Sequence, residues 1–99
     1  MKTMYVYILE CADETFYTGV TNNMERRLEE HQTGIHPESY TFSRRPVKLM
    51  FHELFNDPLS AIAFEKKIKK WSSLKKKALI ENNFGSLPGL SKKKFNRKK

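Results

Sequence analysis

The sequence predicts an α+β domain in which helices flank a three-stranded, mainly antiparallel sheet, in the order β-β-α-β-α(α). Three observations predict it. Two short aromatic and β-branched segments lie near the N-terminus, a third follows a helical segment, and residues 57–80 have helical periodicity. The 99 residues leave room for one domain, which we place at residues 1–87.

The first two strands are predicted to form a hairpin. Residues 4–9 (MYVYIL) and 16–20 (FYTGV) favour strands, and the polar residues between them suit a short connection. Because side chains alternate along a strand, Tyr5, Tyr7 and Leu9 share a face, as do Tyr17 and Gly19. An antiparallel hairpin would therefore bring Tyr7 and Tyr17 together on one side of the sheet.

The first helix is predicted to begin at Asn22 as its N-cap, with Glu25 three residues later as in a capping box. The stripe at spacing i, i+3, i+4 and i+7 consists of Met24, Arg27, Leu28 and His31. Arg27 and His31 should therefore face the sheet. The residues expected to point away are Arg26, Glu29 and Glu30. Gly34 is a natural end for this helix.

Residues 35–46 are predicted to form a loop, and residues 47–55 (VKLMFHELF) a third strand. Asp57 and Pro58 are then suited to the N-cap and first position of a long helix, running to about Trp71. A second helical piece should run from Ser72 or Ser73 to Ile80. The apolar stripe of the long helix consists of Ala61, Phe64, Ile68 and Trp71. Glu65 lies on the flank of that stripe, among lysines, and Trp71 is expected to pack in the core rather than stack on a base.

Charge is divided unevenly along the chain. Nineteen Lys and Arg against eleven Asp and Glu give a formal charge of +8. Residues 1–65 have a balance of −4, whereas residues 66–99 have a balance of +12. This asymmetry indicates a polyanionic partner that meets the C-terminal third, although a solvated helix and a basic tail would give the same counts. Residues 88–99 are predicted to be a disordered basic tail.

Several classes of protein are excluded. No run of 18 apolar residues is present, so we expect no membrane-spanning segment. The first residues lack the features of a signal peptide, and we expect a cytoplasmic protein. Cys11 is the only cysteine, which excludes an intrachain disulfide and a cysteine-based zinc site.

Five elements in order make the chain resemble the GIY-YIG nuclease superfamily, in particular its small standalone bacterial members. The tyrosine motifs read Tyr5-Val6-Tyr7 and Tyr17-Thr18-Gly19. Arg27 follows Tyr17 by ten residues, His31 follows it by fourteen, and Glu65 lies on a downstream helix. The resemblance covers roughly residues 3–85. Two positions depart from the family pattern: Tyr5 stands where the first motif has glycine, and Val20 stands where some relatives have Ser or Lys. A late asparagine of the family would correspond to Asn82 or Asn83.

The resemblance implies an endonuclease that hydrolyses DNA with one divalent ion, Mg²⁺ or Mn²⁺, and no organic cofactor. It implies that Glu65 is the sole protein ligand of the ion, since a hard cation accepts one carboxylate together with waters and phosphate oxygens. Tyr17 would be the preferred base, with Tyr7 as its hydrogen-bonding partner. Arg27 would stabilise the transition state, and His31 would contact phosphate or shuttle a proton.

Each of these residues also has a purely structural interpretation. Glu65 would pair with a lysine one turn away, the tyrosines would be sheet aromatics, Arg27 would extend from the stripe to solvent, and His31 would be a partly buried histidine. Phosphate contacts independent of sequence are expected from Arg44, Arg45, Lys66, Lys67, Lys69 and Lys70.

A non-catalytic nucleic-acid-binding module is the alternative function. A ribosome- or RNA-associated accessory protein is a third one, resting on charge alone. The sequence does not determine the substrate, which could be branched, nicked, damaged or single-stranded DNA, or RNA. A structure-selective role in DNA repair or recombination is one possibility. A monomer is the favoured oligomeric state.

Overall fold

The computed structural model describes residues 3–82, and its centre is the predicted three-stranded sheet. The strands are β1 (Met4–Glu10), β2 (Phe16–Thr21) and β3 (Lys48–Phe55), and the sheet order is β2-β1-β3. Both pairings are antiparallel, with Tyr7 opposite Gly19 on β2 and opposite His52 on β3. With three helices in the order β-β-α-β-α-α, this confirms the predicted α+β class. The expected boundary at residue 87 and the basic tail at 88–99 lie outside the described residues.

The first helix, α1 (Met24–Thr33), begins one residue later than expected because the second strand is longer than expected. Its N-cap is Asn23 rather than Asn22, and the Asn23 side chain accepts a hydrogen bond from the Arg26 backbone N–H at 3.0 Å. The hydroxyl of Thr21, the last residue of β2, accepts from the Asn23 N–H at 3.1 Å and fixes this turn. Gly34 ends the helix in the left-handed region, at φ 71°, as expected.

Two further helices, α2 (Pro58–Lys69) and α3 (Ser73–Asn82), follow β3. Asp57 caps α2 as predicted, because its carboxylate accepts from the Ser60 N–H at 2.9 Å. The α2 helix ends before Trp71, and the break between the helices is short. Trp71 packs, half-buried, against the main core, in agreement with the expected packing role.

The central strand β1 has a different environment on each face. Val6 and Ile8 are fully buried in a core cluster with Phe51 and with Ala61 and Ile68 of α2. Tyr7 and Leu9 are fully buried in a second cluster with Cys11 and Val47, against which Tyr17, Met24 and Leu28 pack. The face that packs against α1 is therefore the one that carries both motif tyrosines.

Candidate active site

The two motif tyrosines lie side by side on the α1 face of the sheet. In the β1–β2 register Tyr17 is opposite Leu9, which places it diagonally from Tyr7. The ring centroids of Tyr7 and Tyr17 are 6.3 Å apart. Tyr7 is fully buried, whereas Tyr17 is only half-buried. Of the two, Tyr17 is therefore the side chain that water and substrate reach more easily.

Gly19, the last residue of the second tyrosine motif, makes room for the Tyr7 hydroxyl. It is directly opposite Tyr7 in the sheet. A Cβ at residue 19 would lie 2.5 Å from the Tyr7 oxygen and 2.6 Å from its Cζ, closer than non-bonded atoms approach. The glycine of one motif is thus required by the tyrosine of the other motif.

The Tyr7 hydroxyl begins a buried hydrogen-bonded chain. It lies 3.0 Å from Nε2 of His31, and Nδ1 of His31 lies 2.7 Å from the hydroxyl oxygen of Thr41. The Ser39 hydroxyl is 3.1 Å from that of Thr41. Tyr7, His31 and Thr41 are all buried, so each of these polar groups depends on the others for a partner.

Burial keeps both His31 and Tyr7 uncharged in this series of hydrogen bonds. Burial lowers the pKa of His31, and the positive charge of Arg27 lowers it further, so the imidazole is neutral at pH 7. Burial, together with the charge of an ionised Tyr17, raises the pKa of Tyr7 to about 12. In a neutral imidazole one nitrogen donates and the other accepts. Both His31 bonds are satisfied when Tyr7 donates to Nε2 and Nδ1–H donates to Thr41.

Arg27 reaches this cluster from α1. Its Nε donates to the Glu30 carboxylate at 3.0 Å, so Glu30, expected to point away, instead is half-buried and holds Arg27. Burial lowers the pKa of Arg27, but attraction to Tyr7 and Glu30 outweighs that effect and raises its pKa overall. The guanidinium therefore remains a cation on the α1 face that carries His31.

Glu65, expected on the flank of the apolar stripe of α2, is buried, at 8% exposure. Its charge is the last and smallest of the effects on the pKa of Tyr7, which it raises. Within residues 3–82, Lys69 is the one cation close to this carboxylate, at 3.5 Å. No group of three His, Cys, Asp or Glu side chains in the same region could hold a metal ion. A buried carboxylate whose partner is an exposed lysine suits a divalent cation that takes its remaining ligands from water and phosphate.

Over residues 3–78 the sequence matches the GIY-YIG catalytic domain. The chain belongs to the GIY-YIG family. Domains of this family are generally endonucleases, typically dependent on divalent metal ions, so membership implies the nuclease superfamily and a nucleic-acid substrate.

The GIY-YIG chain also resembles individual proteins along most of its length. It is 48% identical over 83 residues to a UPF0213 protein of Syntrophus aciditrophicus, covering 84% of this chain and 95% of that protein. A UPF0213 protein of Natronomonas pharaonis is 46% identical over 81 residues, with coverage of 82% and 94%.

Two solved structures have the same fold. The solution structure of the UPF0213 protein BH0048 from Bacillus halodurans is similar with a TM-score of 0.53 and 37% identity, covering 80% of this chain and 83% of that one. The solution structure of EF2693 from E. faecalis has a TM-score of 0.58 and 34% identity, with coverage of 82% and 85%.

Not all residues expected to bind nucleic acid are free to do so in this GIY-YIG domain. Arg44 donates to Asp13 at 3.1 Å and to the Tyr40 carbonyl at 2.8 Å, and its guanidinium lies over the Tyr40 ring. Arg45 donates to the Phe42 carbonyl at 2.8 Å. The four lysines expected to contact phosphate are all exposed: Lys66, Lys67, Lys69 and Lys70. The lysines are therefore better placed for phosphate contacts than the two arginines.

Three residues of the GIY-YIG site gave no recognisable signal in the sequence. Ser39, Tyr40 and Thr41 lie in the loop between α1 and β3, where no periodicity marks a buried position. Thr41 is buried against His31, and the Tyr40 ring stacks on Tyr17 with centroids 6.1 Å apart. None of the helices within residues 3–82 is long and apolar enough to cross a membrane.

Proposed function

We propose that this protein is a metal-dependent endonuclease that hydrolyses DNA phosphodiester bonds. The observation that carries the proposal is the convergence of Tyr7, Tyr17, Arg27 and His31 on one side of the sheet, together with the buried carboxylate of Glu65. The structural interpretations account for the pairs that Glu65 and Arg27 form with Lys69 and Glu30. They do not account for the grouping of these charges with two phenols and an imidazole, because burial of the Glu65 carboxylate costs stability that an exposed ion pair offsets only in small part.

Tyr17 is proposed to accept the proton of the attacking water. It is the more accessible of the two tyrosines, and the raised pKa of Tyr7 holds that second phenol protonated. Two phenols in contact cannot both ionise easily, since the first negative charge opposes the second. A protonated Tyr7 therefore favours its partner as the ionising group.

Tyr7 and His31 then act as positioning residues. Tyr7 donates a hydrogen bond to Nε2 of neutral His31. Glu30 holds the Arg27 guanidinium through Nε. Arg27 can then direct its remaining N–H groups at the phosphate and stabilise the charge that develops there.

Glu65 is proposed to hold one Mg²⁺ or Mn²⁺ ion, which when bound would polarise the phosphate and stabilise the leaving oxygen. Tyr17 would act as its phenolate, having first released its own proton to solvent. During hydrolysis the water oxygen bonds to phosphorus, the water proton passes to the Tyr17 phenolate, the bond from phosphorus to the leaving oxygen breaks, and that oxygen takes up a proton from solvent. The exposed lysines of α2 would hold flanking phosphates without regard to sequence, which suits a structure-selective enzyme of DNA repair or recombination.

The test is cleavage of supercoiled and branched DNA with Mg²⁺ or Mn²⁺, comparing the native chain with Glu65→Gln. Glutamine keeps the size of the side chain but removes its charge. Glu53→Gln, an exposed glutamate on β3, is the matched control. We expect metal-dependent cutting in the native chain and in the control, and none in Glu65→Gln or with chelator.

Cutting retained by Glu65→Gln would reject Glu65 as the metal ligand. If no protein cuts, but all bind DNA with equal sensitivity to salt, the protein is the non-catalytic binding module. The observation that favours this second function is the row of exposed lysines on α2, which needs no metal to bind phosphate.

A further inference from the structure

Tyr40 is an exposed aromatic residue whose ring is nevertheless held in place. It lies in the loop between α1 and β3 and is 41% exposed. Its ring stacks on that of Tyr17, with centroids 6.1 Å apart and an interplanar angle of 21°. The guanidinium carbon of Arg44 lies 3.9 Å from the centroid of the Tyr40 ring. Tyr40 therefore joins an arginine of the loop to a tyrosine of the candidate active site.

The hairpin between β1 and β2 holds Arg44 in turn. Nε of Arg44 donates to the Asp13 carboxylate at 3.1 Å, and the Arg44 carbonyl accepts from the Ala12 N–H at 2.8 Å. Another guanidinium nitrogen donates to the Tyr40 carbonyl at 2.8 Å. The second oxygen of Asp13 accepts from the Thr15 hydroxyl at 2.6 Å and from the Thr15 N–H at 3.2 Å. Arg44 is thus bound both to a fixed carboxylate of the hairpin and to its own loop.

Stability alone does not explain this arrangement. The side chains of Arg44 and Asp13 are 35% and 46% exposed, and an ion pair this open to solvent contributes little to folding. Asp13 and Tyr17 belong to the same hairpin, since β2 begins at Phe16. The contacts therefore form a closed path from the hairpin turn through Arg44 and Tyr40 back to β2. They fix the side chain of Tyr17 relative to the turn that precedes it.

Within residues 3–82, three aromatic side chains lie next to Tyr17, and Tyr40 is the exposed one among them. The ring centroids of Tyr17 and His31 are 5.2 Å apart, and those of Tyr17 and Tyr7 are 6.3 Å apart. Tyr7 and His31 are buried, whereas Tyr17 is half-buried. A half-buried side chain can adopt another rotamer unless a neighbour blocks that movement. The stacked ring of Tyr40 is placed to block it.

We propose that Tyr40 is a positioning residue that holds the ring of Tyr17 in place. Arg44 and Asp13 support Tyr40 in this role. The proposal rests on the proposed function, since it takes Tyr17 to be the base. Tyr40 restricts the rotation of the Tyr17 side chain, so that its oxygen stays directed at the attacking water. A reacting group held in the productive geometry avoids the entropic cost of finding that geometry during the reaction.

The test compares Tyr40→Leu, which removes the ring, with Tyr40→Phe, which keeps the ring and removes only the hydroxyl. The single-turnover rate of DNA cleavage is measured with Mg²⁺ or Mn²⁺, and affinity for a duplex oligonucleotide is measured separately with chelator present. We expect Tyr40→Leu to cut about tenfold more slowly because the phenol oxygen is displaced, with its affinity for DNA changed by less than about twofold. Tyr40→Phe should match the native chain in both measurements.

A cleavage rate for Tyr40→Leu within about twofold of the native rate would overturn the proposal. A loss of DNA affinity as large as the loss of rate would also overturn it, because Tyr40 would then contact the substrate rather than position Tyr17. Equal losses of rate in Tyr40→Leu and Tyr40→Phe would assign the effect to the hydroxyl and would reject the role of the stacked ring.

Asp13→Asn tests the support for Tyr40 and leaves every aromatic ring in place. Asparagine keeps one oxygen for Thr15 and removes the acceptor for Arg44. Glu14→Gln, which removes the same charge from the next residue, also exposed, is the matched control. Only Asp13→Asn should slow cleavage, by up to about fivefold, the range of an exposed ion pair.

Both of these variants should raise DNA affinity by the same factor, because each removes one negative charge. Equal cleavage rates in the two variants would overturn the supporting role of Asp13 and Arg44. A larger gain of affinity in Asp13→Asn would overturn it too, since it would show that Arg44, once released, binds phosphate.

A measurement without cleavage separates this proposal from the proposed function. With ¹³C-labelled tyrosine, NMR relaxation gives an order parameter for each of the four tyrosine rings, and Tyr5 serves as the internal reference. The order parameter of the Tyr17 ring should fall in Tyr40→Leu and should not fall in Tyr40→Phe.

The two kinds of failure then give different results. If the Tyr17 ring loses order only in Tyr40→Leu but the native chain never cuts DNA, the positioning contact is correct and the nuclease assignment is wrong. If the native chain cuts DNA but the Tyr17 ring is equally ordered in both variants, only the positioning role is wrong. If the native chain does not cut and the ring is equally ordered, both are wrong.

Discussion

Replacing Gly19 by alanine tests whether the second tyrosine motif exists to accommodate Tyr7. The new methyl group would lie 2.5 Å from the Tyr7 oxygen and 2.6 Å from Cζ. Tyr7 is fully buried and cannot simply turn away, so the sheet or the ring must shift. Overpacking costs about 1–3 kcal/mol, and loss of the hydrogen bond to His31 adds about 1 kcal/mol.

The total of about 2–4 kcal/mol corresponds to a fall in melting temperature of roughly 10–25 °C for a domain of this size. Circular dichroism would measure the melting temperature, and DNA cleavage would measure the displacement of Tyr7. Tyr7→Phe removes the atom nearest the new methyl group. The loss in free energy of unfolding in the double variant should therefore be smaller than the sum of the losses in the two single variants, because both substitutions affect the same contact.

If the losses in free energy of unfolding of Gly19→Ala and Tyr7→Phe simply add in the double variant, the reasoning is refuted. Residue 19 would then not act through the Tyr7 hydroxyl. A melting temperature of Gly19→Ala within 2–3 °C of native, on the scale of about 4–8 °C per kcal/mol, would refute it more directly. It would mean that the sheet relaxes around a methyl group at almost no cost.

His31 and Lys69 give two further predictions. The folded-state pKa of His31 lies below its ordinary value, so below about pH 6.5 the unfolded chain takes up a proton that the folded chain does not, and stability falls by up to about 1.4 kcal/mol by pH 5.5. Urea unfolding at pH 7.5 and 5.5 should show this difference and should show it reduced in His31→Gln; an equal pH dependence in both proteins would contradict the shift. Lys69→Met removes the ammonium that competes for Glu65 and should tighten Mn²⁺ binding, measured by calorimetry, by up to roughly fivefold, the range of a surface ion pair. Lys77→Met is the control, and the same Mn²⁺ affinity in both variants would show that Lys69 does not compete with the ion.

The sequence predicted the strands, the capped helices and the contact between Tyr7 and Tyr17, because these follow from local patterns. Alternation along two strands joined by a short connection is enough to place both tyrosines on one face. Asp57 caps the start of α2 and Gly34 caps the end of α1, as predicted, because capping depends on residues close in sequence. Asn22 was the wrong cap because the longer β2, through the Thr21 hydroxyl, fixed the turn one residue later.

Tertiary contacts determine what the sequence did not reveal. The sequence placed Glu65 on the flank of the apolar stripe among lysines, but its burial follows from the packing of α2 on the sheet. Thr41 becomes a partner of His31 only because the loop folds back over α1, which no local pattern records. Lys76 on α3 is likewise buried, although composition does not distinguish it from the other two of the three consecutive lysines at 75–77.

Successive side chains of β1 point alternately into the main core and toward the candidate active site. Val6 and Ile8 anchor the main core, while Tyr7 between them points the opposite way, toward His31. A slip of one residue in strand pairing would turn Tyr7 into the apolar core and move Ile8 to the imidazole. Misregistered chains would thus lose the core at the same time as the site. Selection for a stable fold therefore also selects for a correctly aimed Tyr7, and a folded but misdirected form of this protein has no stable core to support it.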